Sequence, residues 1–437
     1  MPERTEKRFD SRKIAVQALC LAVPALLLIA NLNAGSDELA DAAWMTLGAT
    51  TCLLTVIGLR AHETLPVSML VLPVLLGAFV IAGLAGNWYE ARTEVLQLIA
   101  AMAIWSTGLL LAQSRRFLGA CWMGLLAAIA LFGLIALISY PANAFGPSPG
   151  VGPDEVYRLS FTLGSPNVFA SLMGMTVILC IVHLMYLMRT RVAPDIPWLA
   201  KLSHMPRSGY VSAISLLICS GCLILSLSRA GIALTIAVLA IGFGVEFGRR
   251  LWKGGGLLRR LTATLALGLG SILLAGIGLS GGQIGSRAGA LGTDGNARWQ
   301  MYSEYWAAWL ENPLFGYGLG SFNRVNETIT TMENASHLVT IGAAHNVVLQ
   351  WLLQTGLAGF ALIAGVMVWM HWRIALSAMR LSDNSRHYFG VAVLLVSAFL
   401  LLHNQVDFSL EIPGVMWTYA FLLGLGCGTP AKQRSRG

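Results

Sequence analysis

SPNVFASLMGMTVILCIVHLMYLM, residues 165–188, decides the fold class of this chain. It contains no Asp, Glu, Lys or Arg. At a rise of about 1.5 Å per residue it is long enough to cross a hydrocarbon layer about 30 Å thick. The pattern recurs. Apolar runs near 14–32, 42–59, 65–86, 93–112, 117–139, 165–188, 209–227, 230–247, 261–280, 345–371, 388–403 and 412–428 predict about twelve spanning helices. Of the 437 residues, 56% are hydrophobic and 11% charged, where a soluble chain carries about 25% charged residues. These observations predict an all-α polytopic membrane protein, with residues 1–437 forming one transmembrane domain in contact with membrane lipids.

Seven cysteines (Cys20, Cys52, Cys121, Cys180, Cys219, Cys222 and Cys427) all fall inside apolar stretches, none where a disulfide could staple a loop. Cys219 and Cys222 have CxxC spacing, but within SLLICSGCLILSL they read as helix packing rather than a redox or metal site.

Charge sets the orientation. The first run is too long, and lacks a small-residue cleavage site, for a removable signal peptide. Its basic flank, MPERTEKRFDSRK, places the N-terminus in the cytoplasm. With twelve spans, the inner segments then hold 23 of the 29 Lys and Arg, while 14 of the 21 Asp and Glu lie toward the outer side, Glu94 at the outer end of a span included. Both termini are expected inside. A net charge of +8 distributed this way reflects membrane orientation, not a nucleic-acid surface. The six outer cations are all arginine: Arg92, Arg158, Arg229, Arg287, Arg298 and Arg324. Such a face suits planar recognition of phosphate or carboxylate.

Two outer loops are long, 140–164 and 281–343, the second lying between the ninth and tenth spans. The latter has room for short helices on the membrane surface but not for an independent domain. Within it, Trp299, Tyr302, Trp306 and Trp309 recur at helical spacing, predicting an amphipathic helix with an aromatic stripe at headgroup depth. Gly316, Gly318 and Gly320 superficially resemble a nucleotide loop. They follow no strand and face away from cellular ATP, so no nucleotide is expected.

Three helix starts on the outer side carry polar chemistry. Ser165 reads as an N-cap ahead of Pro166, with Arg158 just before it. Arg229 sits where the eighth span begins, and His345 and Asn346 open the tenth. These helices turn their positive dipole ends outward, and with arginines beside them they form an anion site fit for a pyrophosphate. No outer cluster of carboxylates or histidines has metal-ligand spacing, so neither metal nor cofactor is expected.

Four stretches together resemble the family of O-antigen ligases and polymerases that act on polyprenyl-diphosphate glycans, most closely the ligases. They are Ser228-Arg229-Ala230-Gly231, then Arg298 with Trp306 and Pro313-Leu314-Phe315-Gly316-Tyr317-Gly318, then His345-Asn346, then His403, Asp407 and Pro413. Many relatives carry a second histidine two residues before the His-Asn pair, where this chain has Ala343. His337 is the candidate for the second imidazole. The resemblance implies a GT-C-like membrane glycosyltransferase at the periplasmic face of the bacterial inner membrane. Its donor would be a glycan on undecaprenyl diphosphate, and its acceptor a sugar hydroxyl of lipid A–core in lipopolysaccharide biosynthesis. It implies metal-independent transfer with inversion, Arg158, Arg229 and Arg298 on the pyrophosphate and His345 as base. Asn346, Asp407, His337 and Asn167 are expected to orient groups or contact sugar.

Three alternatives share parts of this reading. A polymerase would use the same motifs. A protein O-oligosaccharyltransferase would carry a soluble C-terminal extension, whereas this chain ends at AKQRSRG after the last span. A polysaccharide transporter or flippase would show repeated halves and midplane charges. Here the charges cluster near span ends.

Overall fold

The computed structural model describes residues 2–34, 38–59, 77, 87–140, 158–192, 203–251, 291–339, 341–380 and 385–428. Among them there is no strand. The chain is an all-α polytopic membrane protein. Its helices are α1 (Pro2–Leu32), α2 (Glu38–Leu59), α3 (Trp88–Leu111), α4 (Arg115–Ser139), α5 (Pro166–Thr190), α6 (Arg207–Leu225) and α7 (Arg229–Leu251). There follow α8 (Leu291–Glu311), α9 (Phe322–Ile329), α10 (Ala335–Leu338), α11 (Val347–Arg380), α12 (Ser385–His403) and α13 (Pro413–Cys427).

Among the described residues, α1 to α6, α11 and α12 contain segments long and apolar enough to cross a membrane. The apolar part of α7 (Arg229–Gly244) and α13 are shorter. These ten helices coincide with ten of the twelve expected spans. The expected spans 65–86 and 261–280 lie outside the described residues, as do most of the first long outer loop and the C-terminal tail. Leu47, Leu54, Ile138, Leu217 and Val368 point outward from their helices, as lipid-facing side chains do.

The stretch that opened the sequence reading, α5, is the central helix. It packs against α6, α7 and α12, and nearly every residue from Pro166 to Leu187 is buried. A helix enclosed on all sides has no polar face to show, which is why its sequence is apolar all round. Close approach to its neighbours depends on small residues. A Cβ on Gly174 would meet Phe399 of α12 and Thr235 of α7, and one on Gly231 would lie 2.8 Å from the Ala170 Cβ. α3 and α13 interlock similarly, Gly108 against the Phe421 carbonyl and Gly424 against the Trp105 backbone. Cys219 and Cys222 are fully buried, and the Cys222 thiol donates to the Gly133 carbonyl of α4 at 3.3 Å.

α11 is broken. Gly356 has φ 61° and ψ −170°, so the regular backbone pairing is interrupted there. The chain at 313–318 fills the break. Tyr317 and Gly318 N–H donate to the carbonyls of Leu353 and Gln354 at 2.8 and 2.9 Å. The N–H groups of Leu357 and Ala358 donate to Pro313 and Leu314 at 2.8 and 3.0 Å. Four groups that a helix break would orphan in an apolar setting are thereby paired. Gly316 (φ 67°) and Gly356 supply the left-handed backbone, and a Cβ on either would collide with the facing strand of main chain. The glycine-rich run that looked like a nucleotide loop is therefore a patch over a broken helix.

α8 to α10 pack on the N-terminal part of α11. Met301, Tyr305 and Ala308 of α8 bury against Phe322, Val325, Leu338, Leu349 and Leu353. Trp299, Trp306 and Leu310 face outward from α8. The expected stripe is thus split: Trp299 and Trp306 are exposed, while Tyr302 turns inward.

Candidate active site

Helix ends converge at one end of the bundle. The segment before α5 donates from Leu159 N–H to the Leu225 carbonyl at the end of α6, and from Thr162 Oγ1 to the Asn31 carbonyl at the end of α1. Val347 N–H, opening α11, donates to the Asn404 carbonyl just past α12 at 2.8 Å. Three of these connections pass through a non-glycine residue in the left-handed region, namely Phe161 (φ 51°), Leu227 (φ 50°) and His345 (φ 51°). That conformation is costly for residues bearing a Cβ and persists where its surroundings impose it. All three lie a few residues ahead of the helix starts singled out in the sequence.

Arg158 ties two of those starts together. Its Nε donates to the Ser226 carbonyl at 3.0 Å, and Nη2 donates to Asn167 Oδ1 on the first turn of α5 at 3.0 Å and lies 3.5 Å from the Leu227 carbonyl. Ser165 occupies the N-cap position with Pro166 following, but its side chain makes no capping bond. The capping serine at the next start is Ser228, whose Oγ accepts from Gly231 N–H at 3.2 Å. The Ser-Arg-Ala-Gly run thus divides its work: Ser228 caps α7, Gly231 admits α5, and Arg229 sits half-buried on the first turn.

His345 and Asn346 have different surroundings. Asn346 is the N-cap of α11: its Oδ1 accepts from Val348 and Leu349 N–H at 3.0 and 3.1 Å, and its Nδ2 donates to the Gln405 carbonyl at 3.1 Å. Its amide is occupied at both ends by backbone. His345, just ahead of the span, packs edge-on against Phe408 with ring centroids 4.7 Å apart. Its Nδ1 is buried without a partner among the described residues. Burial holds this imidazole below its ordinary proton affinity, Asp407 pulls it up, and Arg298 pulls it down.

Arg298 on α8 and Asp407 on the 404–412 segment therefore share one electrostatic neighbourhood with His345. Both also act on Tyr302, whose phenol is raised chiefly by burial. Asp407 is fully buried, accepts from Ser409 Oγ, and keeps Oδ1 without a partner among the described residues. His337 lies on α10 beside Leu338, and no described hydrogen bond ties it to His345.

The structure thus brings Arg158 and Asn167 together at the start of α5, with Arg229 close in sequence to Leu227. It groups Arg298, His345 and Asp407 about the start of α11. The sequence reading missed Tyr302, whose hydroxyl lies 2.9 Å from the His345 carbonyl oxygen and 3.2 Å from that of Gln405. It also missed Ser171 and Ser409, which with His403 form a buried chain ending on Asp407. For the serines the one available signal was a hydroxyl at the same end of an otherwise apolar helix bundle, too common to single out.

No curated protein matches this chain. The model of the O-antigen ligase family matches residues 214–364, a stretch that takes in Arg229, Arg298, Tyr302, the patch at 313–318, His345 and Asn346. With these motifs placed as described in an all-α membrane bundle, the chain is similar to the O-antigen ligase family over residues 214–364.

Proposed function

We propose that this protein is an O-antigen ligase that transfers a glycan from undecaprenyl diphosphate to a sugar hydroxyl of lipid A–core at the periplasmic face of the inner membrane. The likeness of residues 214–364 to the O-antigen ligase family supports an enzyme of glycan ligation or the related polymerisation. The finer reading rests on one observation: Arg298 and Asp407 both act electrostatically on His345, at the bundle end where Arg158 bridges two helix starts.

In the proposed step the acceptor oxygen attacks the anomeric carbon of the donor sugar. The bond from that carbon to the diphosphate oxygen breaks, and its electron pair leaves on undecaprenyl diphosphate. Attack opposite the leaving group inverts the anomeric centre. The acceptor proton passes to His345, which burial keeps neutral and ready to accept it. Arg158, Arg229 and Arg298 provide fixed positive charge for the leaving diphosphate, and a preorganised charge costs no reorganisation as the bond breaks. Asp407 favours the imidazolium that forms at His345. Asn346 keeps the start of α11 in place, and Asn167 keeps the Arg158 fork in place.

Orientation with both termini cytoplasmic is supported by the loop charges. The helices α8 to α10 of the outer segment then form the roof over the start of α11. Deletion of the gene tests ligase against polymerase. A ligase deletion accumulates long polymer on the lipid carrier, whereas accumulation of single repeat units would overturn the ligase reading in favour of a polymerase.

A further inference from the structure

Four fully buried polar residues form one continuous hydrogen-bonded chain beneath the site: His403 at the end of α12, Ser171 on α5, and Ser409 and Asp407 on the segment leading to α13. His403 Nδ1 lies 2.6 Å from Ser171 Oγ, Ser171 Oγ lies 2.7 Å from Ser409 Oγ, and Ser409 Oγ donates to Asp407 Oδ2. Counting protons gives the chain a direction. A serine hydroxyl has one proton to donate. Ser409 gives its proton to the carboxylate, so Ser171 must be the donor to Ser409. Ser171 has then used its own proton, so His403 Nδ1 must be the donor to Ser171. This fixes a proton on Nδ1 of His403 whatever the state of Nε2, and stacking on Phe399 at 5.7 Å holds the ring plane.

We propose that His403 is a positioning residue for the transfer reaction, acting through Ser171 and Ser409 to hold the Asp407 carboxylate within electrostatic reach of His345. The proposal rests on the reading of His345 as base. Three relationships support it. The chain runs one way and terminates on a carboxylate rather than on backbone. Asp407 keeps Oδ1 without a partner among the described residues, so the relay anchors one oxygen and leaves the other free. The Asp407 charge acts on His345, on Tyr302 and on His403. Because all four side chains are sealed from solvent, water cannot replace a missing link, and loss of any donor is felt at the carboxylate.

The test uses the purified full-length protein with a lipid-linked glycan donor and lipid A–core acceptor. It compares wild type, His403→Ala, His403→Asn, Asp407→Asn and the Asp407→Asn/His403→Ala double variant. Asparagine places an amide N–H where Nδ1–H stood. His403→Ala is expected to lower kcat about tenfold with KM nearly unchanged, as loss of one buried donor to a charged chain predicts. His403→Asn is expected to restore most of kcat, and His403→Ala to add little on top of Asp407→Asn, since residues acting as one unit are not additive. Full activity in His403→Ala, no rescue by asparagine, or multiplying losses in the double variant each overturns the proposal. If His403→Ala fails to fold, Ser171→Ala removes the middle link and is judged by the same criteria.

A second measurement needs no substrate. The infrared carboxylate band assigned by difference with Asp407→Asn should shift in His403→Ala and stay in place in His403→Asn. An unmoved band in His403→Ala overturns the relay. A wild-type protein that shows the expected bands but transfers no glycan overturns the assigned reaction instead.

Discussion

The Tyr302 hydroxyl lies 2.9 Å from the carbonyl oxygen of His345, joining a surface helix to the one residue that opens α11 in a left-handed conformation. The same hydroxyl lies 3.2 Å from the Gln405 carbonyl, so one phenol spans the backbone on both sides of the site. α8 is thereby more than an amphipathic cover. Its buried edge holds His345 and carries Arg298, while its exposed edge presents Trp299 and Trp306.

Tyr302→Phe should keep the ring and lose that bridge. The expected effect is a severalfold fall in kcat, corresponding to about 1 kcal/mol for one neutral hydrogen bond. The melting temperature should change little. Steady-state transfer by purified protein checks this, and wild-type kcat in the variant would detach Tyr302 from the site.

Gly356→Ala should destabilise the protein by at least about 2 kcal/mol, because it puts a Cβ in the left-handed region and against the Leu314 carbonyl. The loop 313–318 would be displaced with it, since their backbones pair. Thermal unfolding in detergent, with proteolysis between Pro313 and Gly318 as a local probe, measures both effects. An alanine variant as stable and as protease-resistant as wild type would mean that the patch is not needed.

Arg158→Lys retains charge but cannot reproduce a fork reaching the Ser226 carbonyl and the Asn167 amide together. A loss of about 2 kcal/mol in stability is expected from the charged hydrogen bonds given up, accompanied by a rise in KM for the lipid-linked donor. Unchanged values on both counts would show that Arg158 neither braces the helix starts nor meets the diphosphate.

Activity should respond to pH through His345. Burial places its titration below the ordinary value of 6.5, so the acid limb of kcat should lie below pH 6.5. Asp407 raises and Arg298 lowers that titration. Asp407→Asn should therefore move the limb to lower pH, and Arg298→Gln to higher pH. Opposite movements would contradict the proposed neighbourhood.

Stability has a separate pH handle in Glu411, on the segment between α12 and α13. Burial first, and the charge of Glu94 second, push its carboxyl up to about 8. Between pH 4.5 and 8 the folded protein keeps a proton that the unfolded chain releases. This contribution to stability is complete below pH 4.5 and is lost as pH rises through 8. Glu411→Gln should flatten the melting temperature across that range; a slope identical to wild type would exclude Glu411 as its source.

Ten of the spans and the three polar helix starts were legible because each depends on local pattern: a long apolar run, or a charge at its edge. Arg158, Arg229 and His345 stand out for that reason. Asn346 was legible as a residue but not in its role, since an N-cap and a sugar contact draw on the same side chain. Tyr302 was hidden in an aromatic stripe whose periodicity does not reveal which ring turns inward. Ser171 and Ser409 were hidden, and the role of His403 with them, because their meeting depends on how α5 packs against α12, and sequence separation conceals it. The glycines of 313–318 carried a local signal that pointed the wrong way: their partner is the break at Gly356, some forty residues downstream.

The central claim is that His345 is the base for glycan transfer onto a lipid acceptor. It is tested most directly by incubating purified wild-type and His345→Ala protein with undecaprenyl-diphosphate-linked glycan and lipid A–core, and quantifying the lipid-linked product. Wild type should form the product, and His345→Ala, folded to the same melting temperature, should form none above background. Near-normal product from His345→Ala would contradict the account.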